Sequence, residues 1–194
     1  MTKIHARAGL WGALARFARE TRGAVLTEFA MAFPILVVLI LGGFEVGRYV
    51  LLQQKLQSVA VETADLISQA ELISGGDIDN ILLAVDHIMT PFELGGNGVV
   101  IVSSVGATGN NPPKVNWQRT GGGTASAVSK LGTPGSTATL PAGFVVRAGE
   151  SVIVSEVFYN YEPVLAMNLI PLPSGQLYNE SMYRPRFGTL TSLN

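Results

Sequence analysis

The chain has 194 residues, of which 47% are hydrophobic and 14% are charged, and its formal net charge is −1. This composition excludes a disordered chain. The lysines and arginines form no basic stripe after residue 23, so nucleic acid is not expected as a partner. Cysteine is absent, which excludes disulfide frameworks and thiolate zinc sites.

Charge is distributed unevenly between the N-terminus and the rest of the chain. Subtracting residues 1–23 from the totals leaves 8 basic and 13 acidic residues, a formal charge of −5. Basic residues that precede an apolar segment stay on the cytoplasmic side of a membrane. We therefore expect a cytoplasmic leader over residues 1–23 and an exported domain over residues 72–194. The charged residues of the leader are Lys3, Arg7, Arg16, Arg19 and Arg22, with Glu20.

The leader also carries apolar residues at helical spacing, and two interpretations stay open. It can form a helix on the cytoplasmic membrane surface, with its arginines toward anionic headgroups. It can equally be an unstructured basic leader that only sets the topology. The apolar positions are Leu10, Trp11, Leu14 and Phe17.

A membrane-length apolar segment follows the leader. No charge occurs between Phe29 and Phe44, and residues 24–44 together give 21 residues, which span roughly 30 Å as a helix. No convincing cleavage signal follows this run, so we expect it to be retained as an anchor. Pro34 lies inside the segment and predicts a kink or local unwinding around residues 31–33.

Three charged residues accompany this segment. Glu28 lies within it, where a carboxylate is costly and needs a specific reason. Glu45 and Arg48 follow the segment and share a helix face because they are three residues apart. That pair is either an ordinary ion pair at the membrane exit or a contact with a partner.

The residues around this segment resemble a known family. Gly23-Ala24-Val25-Leu26-Thr27-Glu28-Phe29 resembles the processing motif of type IV prepilins, which prepilin peptidase cuts after the glycine. The longer stretch RGAVLTEFAMAFPILVVLILGGFEVGRYVLLQQKLQSVAVETA is similar to the TadE-like domain of tight-adherence (Flp, type IVc) pilus systems. The resemblance covers roughly residues 22–70, and its matching features are Gly23, Glu28, Phe29, Pro34, Glu45 and Arg48.

The resemblance implies cleavage between Gly23 and Ala24, which makes Glu28 the fifth residue of the mature chain. Cleavage creates an α-ammonium at Ala24, and a buried carboxylate needs a positive partner. Glu28 of one subunit can then pair with the Ala24 ammonium of its neighbour and set the axial register of an assembly. Before assembly, Glu28 can be neutral or stabilised by the dipole of its own helix.

After the membrane segment, the pattern predicts two helices. Apolar residues at spacings of three and four continue the first helix to about Ala70 or Glu71, giving a TadE-like helix over residues 24–71. Asp77 is the predicted N-cap of the second helix, and Pro91 ends it. The buried stripe of the second helix comprises Ile78, Ile81, Leu82, Val85, Ile88 and Met89.

From Gly98 onward, β-branched runs predict strands. We expect strands over residues 99–105 and 114–119, a hairpin of residues 144–147 and 151–161, and a last strand over residues 177–186. Residues 106–143 are rich in glycine, proline, serine and threonine and read as a solvated surface loop, the kind of segment that often carries binding variation. The predicted fold is α+β and pilin-like: a long transmembrane helix, and a second helix packed on a small antiparallel sheet.

The sequence shows no catalytic motif. His5 and His87 are the two histidines, and no nucleophile, metal or phosphate-binding pattern accompanies them. Residues 77–79 lack the remaining ligands of a calcium loop. We expect no enzymatic activity, no metal and no cofactor.

The leading hypothesis is a minor pilin or pseudopilin of a tight-adherence pilus, processed at the bacterial inner membrane. It would be single-pass with a periplasmic C-terminal domain, and can also be incorporated into a surface pilus. Its expected partners are prepilin peptidase, other pilin subunits, the assembly platform and membrane lipid. The alternatives are an uncleaved, membrane-anchored binding or adhesion protein and a membrane-tethered enzyme.

Overall fold

The computed structural model describes residues 22–164 and 174–194, so the interpretations of residues 1–21 lie outside the described residues. The chain divides into two compact units, of which the first ends at Glu45 and the second, here called the body, comprises Val46–Asn194. The predicted α+β class with a long N-terminal apolar helix is confirmed. In chain order the elements are α1 (Arg22–Ser68), α2 (Gly75–Met89), β1 (Gly98–Gly106), β2 (Lys114–Gly121), β3 (Ser151–Tyr161) and β4 (Gly175–Tyr183).

Helix α1 has 47 residues and continues without interruption through Pro34. The predicted local unwinding around residues 31–33 is therefore not found. Its C-terminal end comes slightly before the predicted position, at Ser68. There the Gln69 amide donates to the carbonyl oxygens of Asp65 at 3.1 Å and Leu66 at 3.3 Å, which tightens the last turn.

Helix α2 begins earlier than predicted, because its N-cap is Ser74 and not Asp77. The Ser74 hydroxyl accepts from the Asp77 amide at 3.2 Å, and the Asp77 carboxylate accepts from the Ser74 amide at 3.0 Å. This reciprocal capping box satisfies two backbone donors. The Ser74 hydroxyl also donates to the Asp77 carboxylate at 2.6 Å, and this bond, followed by that from the Ser74 amide, holds the pKa of Asp77 below its usual value. The prediction was wrong because Gly75 and Gly76, which suggest a break, belong to the first turn.

The four strands form one antiparallel sheet in the order β2-β1-β3-β4. In the middle of the sheet, Val102 lies opposite Arg119 on β2 and Ser155 on β3. Every residue of β1 is buried, and so is every residue of β3 except Asn160. Because successive side chains of a strand point to opposite faces, both faces of this sheet must be covered.

One face is covered by the two helices. Three contacts place α1 along the sheet and the residues that follow β4: the Tyr49 and Tyr161 rings at 5.2 Å, Gln53 with Asn179 at 3.1 Å, and Asp65 with Arg186 at 2.9 Å. The predicted stripe of α2 joins this core, with four residues buried and two partly buried. The helical contribution to the core comprises Leu52, Leu56, Val59, Ala60, Ile67, Ile78, Leu82, Val85 and Met89.

The other face is covered by residues 122–150, a segment we call the cover. Leu131, Ala138 and Val146 are buried against Val105, Val115, Val152 and Val154 of the sheet. The stretch 106–143 that was predicted to be a solvated loop therefore contains β2 and much of the cover. Residues 108–112 and 141–143 are exposed, as are several positions between them, including Thr124, Ser126, Val128, Lys130, Thr133, Thr137 and Thr139.

The predicted hairpin is wrong, because residues 144–147 form no strand. Val145 is exposed, and Val146 packs into the core of the cover, so Val146 is stabilised by burial and not by strand pairing. Ala148 instead forms a parallel bridge with Ala107. The last strand spans Gly175–Tyr183 and ends before Arg184, whose guanidinium turns toward Glu150 at 3.2 Å.

A buried carboxylate fixes the cover to the sheet. Glu156 on β3 is 0% exposed, and it accepts hydrogen bonds from the Ser129 hydroxyl, the Lys130 amide at 2.8 Å and the Tyr178 hydroxyl at 3.1 Å. Lys130 places its ammonium 3.3 Å from the centroid of the Tyr178 ring. A buried charge is stable only when it is paired or hydrogen-bonded, so these contacts hold the cover in a single position.

Glu156→Ala should destabilise the body by about 3 kcal/mol, because it leaves buried donors without an acceptor. Glu156→Gln should cost about 1–2 kcal/mol, since one amide oxygen remains to accept. Denaturant unfolding of the full chain in detergent measures both values. Hydrogen exchange should rise in residues 122–150, while the matched surface variant Glu150→Gln should stay within about 1 kcal/mol of the wild type. Equal effects at residues 150 and 156 would contradict the anchoring role.

The half-buried Tyr178 should make the folded state less stable at high pH. Burial raises its pKa, and so do the hydrogen bond to Glu180 and the negative charge of Glu156. A raised folded pKa contributes stability that is complete below the unfolded value of about 10 and is lost as pH rises above it. Unfolding should therefore become easier above about pH 10, and Tyr178→Phe should flatten this loss. Denaturant midpoints of the wild type and of Tyr178→Phe, measured between about pH 8 and pH 11, test the effect. If the midpoint fell equally steeply with pH in the two proteins, the effect would be contradicted.

Candidate functional site

The candidate site lies on α1, whose N-terminal part is apolar around its whole circumference. Large apolar side chains are exposed on every side of the helix from Val25 to Phe44. A helix that is apolar all round is a core helix or a membrane span, and the most apolar window of α1 is not buried in the chain. Among the described residues, α1 is the one helix long and apolar enough to cross a membrane. This fits a single-pass anchor.

The predicted processing residues lie at the start of this helix. Gly23 and Ala24 are exposed, and a Cβ added to Gly23 would meet nothing within 4 Å. The Thr27 hydroxyl donates to the Ala24 carbonyl oxygen at 2.8 Å, a local bond within the first turns. The junction is therefore open on the surface of the described chain.

Ala24 and Glu28 lie on the same face of α1, one turn apart. Their separation of four residues corresponds to roughly 6 Å along the axis. The Glu28 side chain is exposed, as is Phe29, whose ring centroid lies 5.7 Å from that of Phe33. A positive charge at Ala24 would thus share a face with the Glu28 carboxylate. The same face can present both charges to a neighbouring chain.

The remaining predicted contacts lie further along the helix. Pro34 is exposed within the apolar part, and Glu45 is buried at 1% exposure. Glu28 and Glu45 are 17 residues apart, roughly 25 Å along the axis, so the structure does not bring them together. The candidate residues therefore form two groups, one at the start of α1 and one near residues 45–48.

Arg48 has a partner that sequence reasoning missed. Its guanidinium carbon lies 5.6 Å from the centroid of the Phe92 ring, close enough for a cation–π interaction. Its positive charge also lowers the pKa of Tyr159, against the larger effect of burial, which raises it. Residues 48 and 92 are far apart in sequence, and no local pattern links them.

Sequence reasoning also missed Glu156, although a signal was available. A glutamate inside the apolar strand SVIVSEVFYNY is as unusual as a glutamate inside an apolar helix. The same reasoning that singled out Glu28 applies to it. Within residues 22–164 and 174–194, no group of three histidine, aspartate or glutamate side chains could hold a metal ion.

Comparison with known proteins supports the N-terminal assignment. Residues 23–65 match the family model described as TadE-like protein. No curated protein and no solved structure matches the chain. The match begins at the candidate junction and includes Glu28, Pro34, Glu45 and Arg48. The predicted resemblance is confirmed: over residues 23–65 the chain is similar to the TadE-like family, which implies involvement in the tight-adherence pilus system.

Proposed function

We propose that the chain is a minor pilin or pseudopilin that takes part in initiating or assembling a tight-adherence pilus at the inner membrane. The observation that carries this proposal is the TadE-like match, which begins at Gly23 and covers the part of α1 that exposes Ala24 and Glu28 on one face. The chain would act by helix packing in the bilayer and by contacts of its exported body, with no reaction of its own.

Processing by prepilin peptidase supplies the charge that Glu28 needs. Hydrolysis of the peptide bond between Gly23 and Ala24 frees the Gly23 carboxylate with the leader and leaves an ammonium on Ala24. In the hydrocarbon region an isolated carboxylate is costly, and an opposite charge within a few ångströms favours its ionised form. An incoming helix that brings its ammonium to Glu28 therefore gains stability in one axial register.

The basic leader and the acidic remainder support a cytoplasmic N-terminus and a periplasmic body. The partners in this proposal are prepilin peptidase, other pilin subunits and the assembly platform, with lipid around α1. Entry into a surface pilus belongs to the same proposal. An uncleaved membrane-anchored binding protein is the alternative, and the state of the N-terminus separates the two.

Gly23→Leu should block processing, because the bulky side chain would occupy the space through which the peptidase approaches the scissile bond. In cells that contain prepilin peptidase, intact mass should show the wild-type chain without residues 1–23 and the variant with them. Gly43→Leu is a matched control, since Gly43 is an exposed glycine of the same helix with open space around it. A functional wild-type chain that retains its leader would overturn the pilin proposal.

Glu28→Gln should leave processing intact and reduce recovery in sheared pili by at least about tenfold, which corresponds to about 1.4 kcal/mol. The glutamine keeps the shape of the side chain and removes only its charge. Combining Glu28→Gln with Gly23→Leu tests the partnership directly, because without a free Ala24 ammonium the loss of the Glu28 charge should add no further defect. Fully additive defects would show that Glu28 acts independently of the new N-terminus.

A further inference from the structure

We infer that the end of the body nearest the membrane docks on the headgroup layer of the bilayer and favours zwitterionic over anionic lipids. The inference rests on one part of the proposed function, namely that α1 spans the membrane. It does not depend on processing, on entry into a pilus or on a second copy of the chain.

The first turns of α1 within the body expose apolar side chains. Val46 is 45% exposed, Val50 49% and Leu51 38%, and the first exposed polar side chain after them is that of Gln54. Leu51 comes seven residues after Phe44, so it lies roughly 10 Å further along the helix axis. The headgroup region adds about 5–8 Å on each side of the hydrocarbon core. The apolar surface of α1 therefore continues across the whole headgroup layer.

Two other segments of the body lie beside these turns of α1. The centroid of the Phe92 ring lies 5.6 Å from the guanidinium carbon of Arg48. The ring centroids of Tyr49 and Tyr161 lie 5.2 Å apart. Both segments are thus fixed at the height of residues 48–49, which is the height of the headgroups when α1 spans the membrane. We define the rim as residues 91–97 and 160–164.

The two segments of the rim form one surface with apolar side chains. The Asn160 amide donates to the carbonyl oxygen of Asn97 at 2.7 Å and joins them. Val164 is 65% exposed, and Pro91 is exposed as well. Apolar side chains at this height can be buried at the boundary between headgroups and acyl chains. Together with the exposed turns of α1, the rim therefore has the apolar surface that docking on a bilayer needs.

The charge at this height of the body is negative. Glu93 and Glu162 are exposed, and Asp86 accepts a hydrogen bond from the Leu94 amide at 3.0 Å. Within residues 46–51, 86–97 and 160–164, three carboxylates and one guanidinium give a formal charge of −2, with the histidine neutral. These four charged side chains are Arg48, Asp86, Glu93 and Glu162.

The nearest lysines of the body lie further from the bilayer. Lys55 comes seven residues after Arg48, roughly 10 Å along α1. Lys130 lies over the ring of Tyr178, which is paired with Phe158, three residues and roughly 10 Å before the end of β3. Ions screen exposed charges from one another beyond about 8–10 Å. Neither lysine therefore neutralises the rim.

Lipid is the occupant because the rim lies on the side where α1 leaves the body toward its N-terminus. The helix of another subunit can cover one side of α1, whereas the bilayer surface lies below the whole rim. The charge of the rim then selects among lipids. An anionic surface has a negative potential, which repels carboxylates, whereas a zwitterionic surface has no net charge. The rim therefore docks on zwitterionic headgroups and is held away from anionic ones.

Fluorophores on single cysteines measure this contact, because the natural chain has no cysteine. The full chain is placed in nanodiscs with a headgroup-labelled quencher lipid, and the fluorophore is attached at Gly96→Cys, an exposed position with open space around it. The control is Val145→Cys, because Arg184 donates to the Val145 carbonyl oxygen at the other end of the sheet. Since β3 and β4 place the control roughly 25 Å from the rim, quenching at residue 96 should be at least about fivefold stronger.

The preference among lipids is tested with nanodiscs of two compositions. One contains phosphatidylethanolamine and phosphatidylcholine in equal parts, and in the other phosphatidylglycerol replaces phosphatidylethanolamine. Quenching at Gly96→Cys should fall at least about twofold in the anionic nanodiscs, because their surface repels the carboxylates. Combining Glu93→Gln with Glu162→Gln should remove this difference. The matched control Glu71→Gln, at an exposed carboxylate beyond the end of α1, should keep it.

Hydrogen exchange of the unlabelled wild type gives a measurement that no substitution can disturb. The amides of residues 93–96 should exchange at least about threefold more slowly in the zwitterionic nanodiscs than in the anionic ones, because docking limits their access to water. Thermal unfolding of the substituted chains checks that each one folds. Equal exchange and equal quenching in the two compositions would overturn the inference.

The two proposals fail in different ways. If a fluorophore at Gly43→Cys is quenched by a lipid labelled in its acyl chain while that at Gly96→Cys is not quenched from the headgroups, docking is overturned and the pilin function stands. If residue 96 is quenched in a functional chain that retains its leader, docking stands and the pilin function is overturned. Failure to quench residue 43 overturns the membrane span and both proposals. Protection of residue 96 that appears only in sheared pili assigns the rim to a neighbouring subunit and overturns docking on lipid.

Discussion

The structure depends on one long helix that has to satisfy two different environments. Up to about Leu51, the exposed side chains of α1 are predominantly apolar, and from Leu52 onward its apolar residues turn to one buried stripe. The first pattern suits a surrounding of lipid or other apolar helices, and the second suits a sheet on one side and water on the other. Because α1 is continuous through Pro34 and the glycines near residue 43, both patterns belong to a single element. In the proposed function, that continuity joins the membrane-spanning part of the chain to the exported body.

A carboxylate inside an apolar segment needs a hydrogen-bond or charge partner, and the chain has two such carboxylates in different situations. Glu156 is buried in β3 and accepts hydrogen bonds from the cover and from β4. The free-energy cost of burying its carboxylate is therefore offset within the fold. Glu28 is exposed on an apolar helix, and its favourable partner in the proposed function comes from another subunit. The first carboxylate therefore fixes the cover to the sheet within the body, whereas in the proposed function the second acts between subunits. Not every buried polar group is satisfied, since the hydroxyls of Thr63 and Ser155 have no hydrogen-bond partner in the described structure.

Periodic sequence patterns predicted most of the helices and strands, whereas features that depend on contacts between distant residues were missed. The buried stripe of α2 and the strands β1, β2 and β3 were predicted from the spacing of apolar residues and from β-branched runs. In these segments the residues that the pattern marks as apolar are those that the fold buries. The N-cap at Ser74 was missed, since two glycines suggested a break. The failed hairpin at residues 144–147 has a different cause: Val146 packs on β1, β2 and β3 without pairing as a strand, which no local pattern reveals. For the candidate site, the spacing of Gly23, Ala24 and Glu28 was visible in the sequence, while the Arg48–Phe92 contact required the fold.

The buried cover also explains how a body rich in glycine and threonine can present a defined surface. Residues 122–150 would be a flexible loop by composition, yet Leu131, Ala138 and Val146 anchor them to the sheet and Glu156 fixes their centre. The segment ends at Arg147 and Glu150, so the ion pairs of Glu150 with Arg147 and Arg184 depend on the same packing. If the cover were loose, two arginines could not be held near one carboxylate at the end of β1. The surface at the end of β1 therefore depends on the stability of the cover, whereas the register along the membrane helix in the proposed function rests on Glu28.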